Sequence, residues 1–325
     1  MTRLVMRFDM RHPDFATVTR ADGYRAALDM TEWADTQGFT TVSVSEHHGV
    51  SDGYLPAPLL LAAGMLARTS NTVISVSALL ALFNDPIRLA EDIAVLDNIA
   101  PGRLAVTVGL GYRDEEYAMF GVDRRTRGKL LDEHLRVMLA AWTGETFEHH
   151  GAKVRVTPMP ATHPHPLLFV GGSSRAAARR AIRFGLPFLP DRHDPELDDY
   201  YRDECQRVGA SPAIIMPGGE PCYIHIAEDP ERTRATIAKN ISHDAQSYAA
   251  WQQRDSGSIV LEQLRSVDDI ATSRVYRVLT PDQVVERAKA TGVLMFHPLV
   301  GGLSPELGWE SLRLFAEKVA PRLGG

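Results

Sequence analysis

The sequence predicts an α/β protein, a (β/α)8 TIM barrel with insertions on the face where its strands end. Three observations predict it. Strand-like apolar runs alternate with helical runs about eight times along 325 residues. Such alternation implies a parallel sheet, because parallel strands need helical crossovers. Eight units in this length suit a barrel better than an open doubly wound sheet, which stands as the second candidate.

The elements follow in order. LVMRFDM (4–10) reads as a strand, and YRAALDMTEWADTQG (24–38) as a helix closed by Gly38, a common C-terminal residue. TTVSVS (40–45) is the next strand and PAPLLLAAGMLARTS (56–70) the next helix. TVISVSALL (72–80) precedes PIRLAEDIAVLDNIAPG (86–102), whose Pro86 suits a first helical turn. RLAVTVGLG (103–111) precedes RTRGKLLDEHLRVMLAAWTG (125–144), and PLLFVGG (166–172) precedes SSRAAARRAIRFG (173–185). LPFLP (186–190) and PCYIHIA (221–227) are shorter strands, each with a helix after it. VLMFHPLV (293–300) precedes the last helix, ELGWESLRLFAEKVAPRL (306–323).

Two stretches depart from the alternation. ETFEHHGAKVRVTP (145–158) reads as a small hairpin inserted before the fifth strand. Residues 231–280, with SYAAWQQRDSGS, carry more helix than one crossover needs. They read as an insertion at the barrel mouth, a lid or equally a surface extension or dimer element. No low-complexity tract marks a second domain, so residues 1–325 are expected to form one.

Composition narrows the function. A net charge of −6 argues against a broad nucleic-acid surface. Cys205 and Cys222 have no zinc or CxxC spacing. MTRLVMRFDMRHPDF is too interrupted by charge for a signal peptide, and no apolar run nears the ~20 residues of a membrane span. The expected compartment is the cytoplasm.

Strand residues alternate between faces. In VSVSEHH, Val42 and Val44 share the face toward the helices, and Ser43 and Ser45 the interior. Continued parity turns His47 inward at the mouth and Glu46 and His48 away. On the next two strands Ser75, Ser77, Ala105, Thr107 and Gly109 face inward. Small interior residues leave room for a flat ligand, where a barrel filled for stability favours bulky ones. Arg7 and Asp9 share a face and need each other or a ligand. His47 thus stands where barrel enzymes put catalytic or substrate-contacting groups; the bland alternative is a satisfied strand-end histidine. No third metal ligand stands at a fixed spacing.

VGGSS closes a strand and opens a helix. Gly171 and Gly172 let backbone approach an anion, and Ser173 and Ser174 offer hydroxyls and amides at a helix N-terminus. The competing reading is a plain turn with a serine N-cap. GLGYR lacks a third glycine and is a weak dinucleotide signal.

Four motifs in order, SEHHG, NDPIRLAEDIAVLDNIAPGRL, VGLGYRDEEYAMFGVD and VGGSSRAAARRAIRFG, resemble the bacterial luciferase-like flavin-dependent oxidoreductases. The resemblance covers residues 1–190 strongly and 280–323 moderately. It implies a barrel that binds reduced FMN, or in one branch the deazaflavin F420, across its mouth. It implies that His47, the first histidine of the Glu-His-His motif, is catalytic. A non-prolyl cis peptide is expected near Ser77–Ala78 or one residue later. Ser45, Ser77 and Ala78, and Gly109, Gly111 and Tyr112, are expected along the cofactor, and Gly171 to Ser174 at its phosphate. Leu110 stands where luciferase has a phosphate-binding arginine. Arg113 either replaces that charge or pairs with Asp114 or Glu115 on the surface, and Arg175, Arg179 and Arg180 either add charge or are solvated. The implied activity is a monooxygenase that combines reduced FMN, supplied by a separate flavin reductase, with O2 and a small organic substrate. The alternatives are F420-dependent hydride transfer and non-catalytic flavin binding. The resemblance implies a homodimer through helices near strands 2 and 3, here PLLLAAGMLA and RLAEDIAVLDNI, which carry more apolar surface than one layer needs; the alternative is that both are buried against the barrel.

Overall fold

The computed structural model describes residues 2–191, 194–213, 222–251, 262 and 264–323. Its elements run β1 (Arg3–Phe8), α1 (Arg20–Thr36), β2 (Thr41–Val44), α2 (Pro58–Arg68), β3 (Val73–Leu79), α3 (Pro86–Ile99), β4 (Leu104–Val108), α4 (Asp114–Phe120) and α5 (Arg127–Ala141). Then come β5 (Phe147–His149), β6 (Ala152–Val154), β7 (Leu167–Gly171), α6 (Arg175–Phe184), β8 (Phe188–Leu189), α7 (Pro195–Val208) and β9 (Tyr223–Ile226). The chain ends with α8 (Pro230–Trp251), α9 (Val267–Thr272), β10 (Tyr276–Leu279), α10 (Pro281–Thr291), β11 (Val293–Phe296) and α11 (Pro305–Leu314). These elements fall into two compact units.

The first unit is Met1–Val44, Val50–Pro56 and Pro217–Gly325. Its strands lie parallel in the order β10-β9-β11-β1-β2. β9 therefore sits between β10 and β11, out of chain order. β10 lies inside the 231–280 stretch, which the spacing reads as carrying more helix than one crossover needs. α8 and α9 are helices there, and β10 is a paired strand that the spacing does not show. Of SYAAWQQRDSGS, residues 252–258 lie outside the described residues. α1 starts with a capping box, Thr19 and Asp22 satisfying each other's backbone N–H groups. Trp33 of α1 and Phe39 pack with Phe296, Trp309 and Phe315 at ring separations of 5.2–6.5 Å. The last helix is not continuous to residue 323. A π turn at Phe315–Val319 and a 3-10 turn at Ala320–Arg322 follow α11, beside Pro321, which has no N–H to give a regular helix.

Arg7 and Asp9 are buried in this unit, and neither takes the other as its hydrogen-bond partner. Arg7 donates to the hydroxyls of Tyr223 (3.0 Å), Tyr54 (3.2 Å) and Tyr248 (2.6 Å). Asp9 accepts from Arg11 N (3.1 Å) and pairs with His297 Nε2 (3.1 Å). Arg11 in turn reaches Asp52 at 2.5 Å and Asp244 at 2.8 Å, and its guanidinium lies 4.6–5.0 Å from the rings of Tyr54, Tyr248 and Trp251. Buried charges require such pairing, and removing one partner typically costs about 3–5 kcal/mol. Residues far apart in the chain thus satisfy two charges that the sequence left open.

The second unit is Ser45–Gly49 and Ala57–Met216. Its parallel strands follow chain order, β3-β4-β7-β8. Ile74, Val76, Leu104, Val106, Val108 and Val170 are wholly buried, while Ser75 and Ser77 stay half-buried, as period-two alternation requires. The ladder between β3 and β4 slips between Ser77 and Leu79, and the Ser77–Ala78 peptide is cis, the first of the two positions expected. α3 begins at Pro86 with Asp85 as its N-cap, and Trp142 Nε1 donates to Ala90 O (3.0 Å), tying the end of α5 to α3. β5 and β6 form an antiparallel hairpin, Phe147 opposite Val154.

Candidate active site

Every sequence-predicted site residue lies in the second unit. His47 is buried, and its Nδ1 meets Glu116 Oε1 at 2.8 Å. Its Nε2 lies 3.2 Å from the Tyr112 hydroxyl, with the two rings edge to face. His48 takes another partner. Its Nε2 pairs with Glu46 Oε1 at 2.8 Å, and its ring packs edge-on against Phe83 and Phe120. Glu46 is buried too, and its Oε2 accepts the Leu80 N–H at 2.6 Å. The Glu-His-His motif therefore divides into a pair that braces the chain after β3 and a histidine held by a distant carboxylate.

Glu116 comes from α4, a seven-residue helix with no counterpart in the sequence reading. Its side chain is inaccessible to solvent. Oε1 also accepts the His48 N–H (2.9 Å) and faces Arg113 Nη1 (3.4 Å). Burial pushes the Glu116 carboxyl up, but the His47 hydrogen bond and charge, the His48 amide and Arg113 together hold it below its ordinary value. Glu116 is thus a carboxylate at neutral pH. Arg113 is 7% exposed and donates to His48 O at 2.7 Å; of its two expected acidic neighbours, Glu115 Oε2 lies 3.9 Å from its Nε, while Asp114 pairs with Arg124. A signal for Glu116 was present, because Arg113, Glu116, Tyr117 and Phe120 repeat at the spacing of one helix face.

The glycines of the GLG stretch meet their neighbours closely. A Cβ on Gly109 would stand 2.9 Å from Ala78 Cβ, and one on Gly111 (φ 72°) 3.2 Å from Leu80 Cδ2. Gly109 N donates to Leu79 O at 2.9 Å. The Leu110 carbonyl accepts from the Tyr117 hydroxyl, whose pKa burial pushes up to about 12. These contacts gather Ser77, Ala78, Gly109, Leu110, Gly111 and Tyr112 around the ends of β3 and β4. Ser45 is half-buried at the start of the Glu-His-His segment.

At the end of β7, Gly172 has φ 125°, a conformation that favours glycine. A Cβ on Gly171 would press on Thr107 Cγ2 (2.9 Å) and Val108 O (3.2 Å). Ser174 is the N-cap of α6, its hydroxyl accepting from Ala177 N at 3.2 Å, so the bland reading holds for that residue. Ser173 differs: its Oγ is buried and has no hydrogen-bond partner among the described residues. The α6 arginines are engaged elsewhere. Arg175 and Arg179 lie over the Tyr200 ring, Arg179 also donating to its hydroxyl, and Arg180 and Arg183 pair with Asp132.

Comparison with known proteins places this arrangement. Over 202 residues the chain is 25% identical to the oxygenase component of flavin-dependent trigonelline monooxygenase from Acinetobacter baylyi, which covers 58% of this chain and 56% of that protein. Over 165 residues it is 27% identical to the FMNH2-dependent dimethylsulfone monooxygenase of Pseudomonas putida, covering 48% and 46%. The chain spans about half the length of the curated relatives it matches. Among solved structures, monooxygenase RslO1 from Streptomyces bottropensis superposes with a TM-score of 0.72 at 25% identity, over 99% of this chain and 100% of that one. The fold class is therefore the α/β barrel expected from the sequence. The family model for luciferase-like monooxygenases matches residues 6–293. The chain belongs to the luciferase-like monooxygenase family.

Proposed function

We propose that the protein is a flavin-dependent monooxygenase that uses reduced FMN and O2 to oxygenate a small organic substrate, with His47 moving a proton at the reacting centre. The observation that carries this reading is His47 itself, buried between a carboxylate and a phenol hydroxyl. A histidine with both ring nitrogens engaged in this way is placed to accept a proton on one and hold one on the other. When bound, reduced FMN supplies the electrons that activate O2. Ser45, Ser77, Ala78, Gly109, Leu110, Gly111 and Tyr112 would lie along the ring, and Gly171, Gly172, Ser173 and Ser174 would hold the phosphate. The unpaired Ser173 hydroxyl at a helix N-terminus supports that fit, and the FMNH2-dependent relative supports the choice of flavin.

The wider setting belongs to the same proposal. A separate flavin reductase would supply the reduced cofactor, in keeping with a relative named as an oxygenase component. No helix among the described residues is long and apolar enough to cross a membrane; the cytoplasmic location belongs to the proposal separately, from two cysteines without disulfide or CxxC spacing. A homodimer through α2 and α3 is supported by Leu60, Val95 and Ile99, which leave 77%, 46% and 52% of their surface exposed. Titration with FMN, riboflavin and F420 tests the reading, followed by product analysis with reduced FMN, O2 and a panel of aldehydes and sulfonates. Binding of F420 without FMN would replace it by hydride transfer. FMN binding with no product from any panel member would leave a flavin-binding protein.

A further inference from the structure

Glu116 accepts three donors on one oxygen, and only one of them, the His47 imidazole, can carry its proton on either of two nitrogens. A carboxylate has no proton to give, so the nitrogen facing it must donate. Neutral His47 therefore carries its proton on Nδ1, the atom 2.8 Å from Glu116 Oε1. This leaves the Nε2 lone pair directed at the Tyr112 hydroxyl, 3.2 Å away. Because Nε2 then lacks hydrogen, the phenol O–H is the donor in that contact.

We propose that Glu116 is the positioning residue of His47, fixing its tautomer, and that Tyr112 relays the proton into and out of Nε2. This rests on the reading of His47 as the proton-moving group. The step balances simply. Tyr112 O–H passes its proton to Nε2 as it takes the proton that the substrate loses, which leaves the substrate deprotonated, and the imidazolium formed keeps its Nδ1–H on Glu116; the same path in reverse returns the proton. Arg113 stands 3.4 Å from the same carboxylate oxygen and donates to the His48 carbonyl, so it adds a third donor that steadies Glu116. The Glu46–His48 pair forms a separate contact and leaves Glu116 to His47. The turn of α4 that carries Glu116 is held by Tyr117 on Leu110 O and by Phe120 stacked on Phe83. The carboxylate is thus set by packing as well as by charge, as a second layer around a reacting group needs to be. Tyr112, assigned from the sequence only to pack along the cofactor, gains a chemical task.

The experiment reads the imidazole directly and needs no flavin. Protein labelled with 15N-histidine is titrated by long-range 1H–15N NMR, with His47→Ala identifying the resonance. The neutral wild-type ring is expected to carry its proton on Nδ1. Glu116→Gln keeps an acceptor of the same shape but removes the charge. The coupling between the two groups is mutual, so the His47 midpoint should fall by on the order of one pH unit, and Glu116→Asp should restore part of the shift. The kcat/KM pH profile should move in the same direction. A wild-type neutral ring protonated on Nε2 overturns the proposal, as does an unmoved midpoint in Glu116→Gln. If Glu116→Gln fails to fold, the wild-type spectrum alone decides. Tyr112→Phe should keep the Nδ1 tautomer and lower kcat more than tenfold with FMN affinity unchanged; an unchanged kcat removes the relay. Full activity in His47→Ala would instead defeat the functional reading, a result the spectrum does not mimic.

Discussion

Gly109 faces Ala78 so closely that a Cβ on the glycine would stand 2.9 Å from the alanine Cβ. The same glycine donates its N–H to Leu79 O at 2.9 Å, so backbone as well as side chain holds the approach. Gly109→Ala is expected to lower stability by about 1–3 kcal/mol, the usual cost of forcing a methyl into a packed site. Gly23 is the control. It lies within α1 with open space around its Cβ position, so Gly23→Ala should raise stability by about 0.5–1 kcal/mol through helix propensity. Urea unfolding measures both, and shifts of the same sign would contradict the packing argument.

His225 on β9 makes stability depend on pH. Burial pushes its pKa down to about 4, against an ordinary value of 6.5. Between those values the unfolded chain binds a proton that the folded chain refuses, so stability falls with pH in that window. The contribution is complete above pH 6.5 and has been lost by pH 4, a change on the order of 3 kcal/mol. His225→Gln should flatten the stability profile between pH 6.5 and 4. A profile with the wild-type slope in the variant would exclude His225 as its source.

His47→Ala should lower kcat by roughly 10²–10⁴, the range of a general acid–base group, while flavin affinity changes little. Steady-state turnover with reduced FMN, paired with a fluorescence titration, separates the two effects. Undiminished turnover would remove His47 from the chemistry.

What the sequence allowed to be read follows from how far apart the interacting residues are. β3, α3, β4 and α6 were legible because their signals are local: alternating Ile74 and Val76, Pro86 behind Asp85, Gly172 before a serine cap. β10 escaped because TSRVYRVLT is short, has Arg277 in its middle and lies after a helical stretch, so nothing in one dimension outweighed the reading of an insertion. Glu116 escaped for a different reason. It is the third of three successive acidic residues, and although the 113, 116, 117 and 120 spacing marks one helix face, nothing along the chain ties that face to His47, 69 residues earlier. The partners of Arg7 were equally hidden, since Tyr54, Tyr223 and Tyr248 come from three separated segments. Patterns along a strand or helix survive in the sequence, whereas buried polar pairings need the fold first.

Assembly can be tested at the apolar residues of α2 and α3. Leu60, Val95 and Ile99 are exposed on two helices that pack against each other within the second unit, and such patches commonly mark interfaces. The protein should show a dimer mass by light scattering at micromolar concentration. Leu60→Glu combined with Ile99→Glu should yield monomer, because a carboxylate buried in an apolar contact loses its hydration without a partner. A monomer mass for the unmodified protein would refute the assignment.

The phosphate site is tested most cleanly at Ser173. Gly172 is a poor probe, because any side chain there meets both an unfavourable φ of 125° and Ala177 Cβ at 3.3 Å, so a valine would disturb the turn whatever it binds. Ser173 Oγ has no partner among the described residues that a substitution could break. Ser173→Ala should therefore leave folding stability within about 0.5 kcal/mol of its starting value. If the hydroxyl donates to the FMN phosphate, its loss removes one charge-assisted hydrogen bond, about 1.5–3 kcal/mol, and weakens FMN binding by roughly tenfold or more. Riboflavin has the same ring and no phosphate, so its affinity should not change. Parallel fluorescence titrations compare the two ligands on folded protein. Equal losses for both would mean that Ser173 acts through the turn and not through the phosphate, and the cofactor's anion would have to be sought elsewhere.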